Sequence, residues 1–257
     1  RYRIYYPKTM GDAVWSMYDY NRGCCDNICY SGVADIFRLP KFSLSFFRTQ
    51  IAEGSMLPSG KMPYEVFIPA YRDEILSDTV MVYGNVDEVE LVLNGKTIRR
   101  QTADKGPDSD YIPVPNGGNG KNLHFPPFTF YGVPKERGVL KAVSYHQGKK
   151  VAEYTVKTPG VPERLDITYF ESGKPATKND LLIVYVRMLD KQGVLCPVNG
   201  IPVELSVQGG EIVGPTSYPL EAGVASFLVR TGEITKININ ATGKGFSTRK
   251  SLKVGKE

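Results

Sequence analysis

With two histidines, four cysteines and a single tryptophan among 257 residues, the chain has few of the side chains that most site chemistry needs. His124 and His146 both fall in strand-patterned sequence, so no Ser-His-Asp or Cys-His nucleophile set is expected. Cys24, Cys25 and Cys29 crowd together while Cys196 stands far off, which is no evenly spaced disulfide framework. The C-C-x-x-x-C cluster lacks the paired C-x-x-C spacing of structural zinc, and both histidines lie about a hundred residues downstream. Small buried thiols are expected instead, with no metal and no cofactor. No apolar run approaches the roughly 18 residues of a membrane span, and Arg1 to Lys8 lacks the apolar core of a signal peptide. The chain also begins without Met, so its compartment cannot be read from this end.

A long run of charge of one sign is missing too. The 32 basic and 27 acidic residues give a net charge of +5, but no Lys/Arg block exceeds the pairs Arg99-Arg100 and Lys149-Lys150. Nucleic acid is therefore not an expected partner. What the chain has is aromatic and turn-forming: 16 Tyr, 11 Phe, 26 Gly and 18 Pro, in a composition 41% hydrophobic. That balance favours strands punctuated by turns.

From Asp12 to Tyr18 the run D-A-V-W-S-M-Y shows neither clean alternation nor helical spacing, which suits a short strand buried on both faces, as in a parallel sheet. Pro40 and the Leu44/Phe47 spacing then predict a short helix over "FSLSFFRTQ". Residues 51–64, with Gly54, Pro58, Gly60 and Pro63, read as a linker. Beyond it the period becomes two. "VDEVELVLNGKTIRR" predicts a hairpin turning at Asn94-Gly95, with Val89, Leu91 and Leu93 on one face and Glu88, Glu90 and Val92 on the other.

Residues 102–127 form a long polar insertion, of the kind that in a compact domain is functional or disordered. Its "NGGNGK" (Asn116 to Lys121) imitates a phosphate loop but lacks the Ser/Thr and helix that should follow the Lys. Tyr111, Phe125 and Phe128 are candidates to narrow a ligand site or to meet another subunit. Strands then resume, with a turn at Gln147-Gly148, and Pro159-Gly160 closes a unit of immunoglobulin-domain size. Short alternating strands fill the remainder, with tight turns at Lys191-Gln192-Gly193 and Gly209-Gly210.

Four carboxylates, Asp12, Asp19, Asp26 and Asp35, crowd the first segment, and paired carboxylates are what glycoside hydrolysis uses. Spacing alone assigns them to caps and loops. Trp15 reads either as a core residue or as a platform on which the C–H face of a sugar stacks.

Residues 13–50 resemble the closing segment of the catalytic barrel of glycoside hydrolase family 2, above all its β-galactosidases. Val14-Trp15 and Asp19-Tyr20 match the V-W-x-x-x-D-Y of its eighth strand, and Ser31 to Lys41 match S-G-V-x-D-x-F-R-x-P-K. Downstream, "DTVMVYGNVDEVELVLNGK" resembles the S-N-x-D-x-V-E-L-x-L-N-G-K hairpin of the β-sandwich after the barrel, with Gly84 where Ser is usual.

The resemblance implies a mainly β chain: two immunoglobulin-like β-sandwiches preceded by the last strand and helix of a (β/α)8 barrel. The expected divisions are 1–58 for the barrel remnant, 59–159 for the first sandwich and 160–257 for the second. It places both catalytic glutamates upstream of Arg1, so no catalytic residue is expected here. The substrate-binding residues it implies are Trp15, Tyr30 and Ser31. The partners it implies are the upstream barrel of the same protein, a β-galactoside or related glycan, and a homo-oligomeric mate. Its bacterial members suggest a periplasmic or secreted location. Val14, Trp15, Met17 and Tyr18 are expected to be covered by another chain or by the first sandwich. A different class also fits a β-sandwich array: a stand-alone carbohydrate-binding or adhesion module.

Overall fold

The computed structural model describes residues 14–23, 27–70, 77–104, 123–170 and 173–255. Chain contacts divide it into two compact units, Arg1–Lys157 and Thr158–Glu257. The fold is mainly β, as the alternating pattern requires.

In the first unit, alternation becomes two facing sheets. One orders β3 (Val66–Phe67), β4 (Val80–Gly84) and β7 (Phe128–Phe130); the other orders β6 (Lys96–Thr102), β5 (Glu88–Leu93), β8 (Val139–His146) and β9 (Lys149–Lys157). Val89, Leu91 and Leu93 face the core, and Glu88, Glu90 and Val92 do not. Asn94 and Gly95 take φ of 51° and 80°, the positive values a two-residue hairpin turn needs. Phe128, Phe130, Val82, Leu140 and Ala142 are buried between the sheets, and a side chain of that size contributes about 1.5–3 kcal/mol when fully buried. Gly84 has a steric reason: a Cβ there would lie 2.9 Å from the Glu65 carbonyl oxygen, where β3 pairs with β4.

The predicted helix is present as α1 (Phe42–Thr49), capped at Lys41 by backbone conformation alone. Arg48 sits in its last turn, where a cation complements the helix dipole, and clamps Glu65 with its guanidinium. Phe46 meets Tyr83 edge-on at 5.2 Å. The stretch read as a linker is more ordered than that. It holds a small hairpin of β1 (Met56–Leu57) and β2 (Gly60–Lys61) and a buried Met62. Its ends are gripped by buried Asn85, whose Nδ2 donates to the Ile51 and Pro63 carbonyls at 3.0 Å each while Oδ1 accepts from Glu65 N at 2.6 Å.

The sequence expectation fails at the first strand. Residues 14–20 form no regular strand; among the described residues they make isolated bridges, Tyr18 with Ala34 in parallel and Tyr20 with Cys29 antiparallel. Val14 and Met17 are exposed, at 59% and 65%. The first sandwich does not cover them. A parallel barrel strand needs neighbours on both edges, and among the described residues the backbone partners of residues 16–20 all come from residues 29–34. Asp12 lies outside the described residues.

The second unit builds its own core. β10 (Arg164–Tyr169), β11 (Leu181–Leu189), β15 (Val224–Thr231) and β13 (Gly210–Ile212) form one sheet. β14 (Ser217–Pro219), β12 (Pro202–Gln208), β16 (Lys236–Gly243) and β17 (Phe246–Lys253) form the other. Val184, Val186, Met188, Phe227, Ile237 and Ile239 are buried among them. The turn read at Lys191-Gln192-Gly193 is organised by buried Asp190, whose carboxylate accepts from Gln192 N, Val194 N and Gly160 N at 2.7–2.9 Å. Burial alone would raise this carboxyl, but the converging N–H groups together hold it below the usual Asp value.

Candidate aromatic site

Two short stretches, residues 16–19 and 31–34, run side by side and exchange backbone hydrogen bonds. Ser16 N donates to Ser31 O at 3.3 Å, Val33 N to Ser16 O at 3.1 Å, Ala34 N to Met17 O at 3.0 Å and Asp19 N to Ala34 O at 3.0 Å. Gly32 is what allows the approach: a Cβ there would fall 2.3 Å from Asp19 N and 2.4 Å from Ala34 O. Any other residue must push the two segments apart.

Polar side chains fix this pairing. The buried Asp19 carboxylate takes the Gly32 N–H at 2.8 Å and the Lys41 ammonium at 2.7 Å on the same oxygen. Lys41 Nζ also donates to the Tyr30 carbonyl at 3.1 Å, and its own N–H bonds Val33 O at 3.0 Å. Asp35 holds the next turn, accepting from Phe37 N and Leu39 N at 2.8 Å each. Arg38 closes that turn with φ of 72° and places its guanidinium 4.0 Å from the centre of the Tyr18 ring. Burial pushes the Asp35 carboxyl above its ordinary value, against the pull of the two N–H groups.

The residues expected to bind substrate surround this knot. Trp15 is 74% exposed; its indole N–H donates to the Tyr20 hydroxyl at 2.8 Å and the two rings meet edge-on. The peptide between Trp15 and Ser16 is cis. Tyr30 is 70% exposed, with the Lys41 ammonium 5.9 Å from its ring centre. The Ser31 hydroxyl lies 3.4 Å from Cys29 Sγ and lowers that thiol by hydrogen bonding to its sulfur. Ser16 N ties Ser31 to the residue after Trp15.

Other sequence candidates fare differently. Asp19 and Asp35 spend their carboxylates on holding main chain, whereas Asp12 and Asp26 lie outside the described residues. Cys24 and Cys25 are likewise outside them. Cys29 and Cys196 are free thiols, and among the described residues no group of three or more His, Cys, Asp or Glu converges. The phosphate-loop lookalike at 116–121 and Tyr111 also fall outside. At the foot of that insertion Gln50 grips Phe125 by two reciprocal bonds, Nε2 to the carbonyl at 3.0 Å and the amide N–H to Oε1 at 3.2 Å. Phe128 is fully buried in the first core, so it is no part of a ligand surface. Its neighbouring strand claims it for packing.

Sequence spacing did not single out Lys41 or Gly32. Lys41 meets Asp19 across 22 positions, a separation no local periodicity reports.

Known proteins match this chain along most of its length. A family described as "Domain of unknown function (DUF4982)" matches residues 77–152, within the first unit. A β-galactosidase of Thermoanaerobacter pseudethanolicus is 32% identical over 241 residues, covering 88% of this chain and 30% of that protein. β-Galactosidase BoGH2A of Bacteroides ovatus is 29% identical over 210 residues, 79% of this chain and 22% of its own length. Among solved structures, a β-glycosidase from Bacteroides vulgatus superposes with a TM-score of 0.76 at 17% identity, covering 98% of this chain and 32% of that one. The chain thus spans about a third or less of the length of these relatives.

Proposed function

We infer what this chain does from the family to which it belongs, glycoside hydrolase family 2. In this reading it is a non-catalytic C-terminal region of a β-galactosidase-like enzyme. Residues 14–50 complete the catalytic barrel supplied by the rest of the polypeptide, and the sandwiches brace it. The observation that carries the reading is Trp15: an indole 74% exposed, yet held in one orientation by the Tyr20 hydroxyl. An aromatic ring that is fixed but uncovered offers a flat apolar face to the C–H side of a pyranose. Tyr30 and Ser31 extend that surface.

The described carboxylates beside it serve structure, since Asp19 and Asp35 each accept two hydrogen bonds that hold the loops. Retaining hydrolysis requires an acid/base and a nucleophile on either side of the scissile bond. On this reading both come from the barrel, and the chain adds substrate contacts and support.

The test compares residues 1–257 with the longer polypeptide. The isolated chain should release no nitrophenol from nitrophenyl β-galactoside. The longer protein should release it, with the first-formed sugar keeping the β configuration by NMR. Turnover by the isolated chain that a point substitution abolishes would overturn the non-catalytic reading. A first-formed α anomer from the longer protein would overturn the retaining one.

A further inference from the structure

We propose that Lys41 is a positioning residue that sets Tyr30 and Ser31 against Trp15, and so governs how tightly the sugar is held. This rests on the reading of Trp15, Tyr30 and Ser31 as substrate contacts.

The geometry is specific to the two peptide groups that flank Ser31. The peptide before it is held by its carbonyl, the Tyr30 oxygen, which accepts from Lys41 Nζ at 3.1 Å. The peptide after it is held at both ends: Gly32 N–H donates to Asp19 at 2.8 Å, and Ser31 O accepts from Ser16 N at 3.3 Å. With both flanking peptides fixed, the backbone torsions of Ser31 are set. The Cα–Cβ direction of Ser31 follows from them, and the Cα of Tyr30, which lies in the first of these peptide planes, is fixed in place. Because Ser16 follows Trp15 directly, the last of these bonds references the loop to the indole.

Lys41 is the common point of this arrangement. Its ammonium bridges Asp19 Oδ1 and Tyr30 O, and its backbone N–H holds Val33 O at 3.0 Å. The Asp19 side chain is only 3% exposed, so the ammonium is the charge that compensates a buried carboxylate. Without it a buried carboxylate is left with no compensating cation, and the Gly32 anchor loosens with it. The ammonium stands 5.9 Å from the Tyr30 ring centre and is tied to backbone and carboxylate, so it acts through the loop rather than as a ligand contact.

The experiment uses the longer polypeptide with nitrophenyl β-galactoside and compares Lys41→Met, Asp19→Asn, Lys41→Arg and Trp15→Ala. Lys41→Met and Asp19→Asn should each raise KM about tenfold while kcat changes less than about twofold, because contacts shared by ground and transition states are lost together. Lys41→Arg keeps a cation that reaches both acceptors and should recover most of the loss. A KM unchanged in Lys41→Met, with KM raised in Trp15→Ala, overturns the positioning role and leaves the site reading intact. A KM unchanged in Trp15→Ala overturns the site reading on which the proposal rests. A fall in kcat at constant KM, or in the amount of folded protein alone, marks a purely structural lysine and overturns the proposal as well. Should Lys41→Met fail to fold, Asp19→Asn keeps an acceptor for Gly32 but releases the ammonium: a raised KM there supports the positioning role and an unchanged one overturns it.

Discussion

The loops of residues 14–41 and the two sandwiches that follow them in sequence are ordered by opposite means. The sandwiches bury apolar faces: Phe128 and Phe130 in the first unit, Val184 and Phe227 in the second, are enclosed on all sides. The loops bury almost no apolar side chain and expose Val14, Trp15, Met17 and Tyr30. They are held by Asp19, Lys41, Asp35 and a glycine that admits no Cβ. Hydrophobic burial is non-directional and fixes a core as a whole, while a charged hydrogen bond fixes one peptide at one angle. Rings that are both uncovered and oriented have only the second means available.

The largest effect that tests this contrast is expected in a core. Phe128→Ala should cost about 3–5 kcal/mol in a urea titration of the chain followed by circular dichroism. A loss below about 1 kcal/mol would mean that burial is not what orders the first sandwich. Next comes the grip of Asn85. Asn85→Ala leaves Glu65 N–H and the Ile51 and Pro63 carbonyls unmatched, and should cost about 1–3 kcal/mol. Hydrogen exchange should show the loss concentrated at Ile51 to Glu65, and uniform loosening would argue against that assignment.

Acid should separate the two units. Asp190 has a folded pKa below its unfolded value, so its stabilisation is present above the usual Asp range and is lost as pH falls through the folded value. Asp35 is raised, so the sign reverses: its ionised form carries a penalty above the folded value, relieved as pH falls toward the usual Asp range. Lowering pH should therefore weaken amide protection at Gln192 and Val194 while sparing Phe37 and Leu39. Simultaneous loss at all four sites would contradict the opposed shifts. The smallest effect belongs to Trp15→Ala, expected within about 0.5 kcal/mol on the stability of the chain because the ring is exposed. A drop beyond about 1 kcal/mol in its thermal melt would return Trp15 to the class of packing residues.

What the sequence made legible follows the same division. Alternation and turn chemistry located the hairpin at Asn94-Gly95, the turn at Gly193 and the helix after Pro40, because each is a local preference. The small hairpin at 56–61 was hidden by its glycines and prolines, which read as a linker until Asn85 is seen to hold both ends. The strand expected at 12–18 depends on partners outside the segment, and no local pattern reports whether they are there. Phe128, grouped with Tyr111 and Phe125 as a candidate for a ligand surface although it follows the 102–127 insertion, pairs with Val82 in β7 and is buried. At the aromatic site, the motif resemblance named Trp15, Tyr30 and Ser31. The device that ties them, Lys41 with Asp19, joins residues distant in sequence and came only from the fold.

Because the chain holds one tryptophan, and that one stands outside both cores, its long-wavelength emission comes from a single spot beside Tyr20. Fluorescence will therefore report on the loops and stay nearly silent while a sandwich unfolds. The molecule carries its own optical probe, placed on the loops and apart from either core.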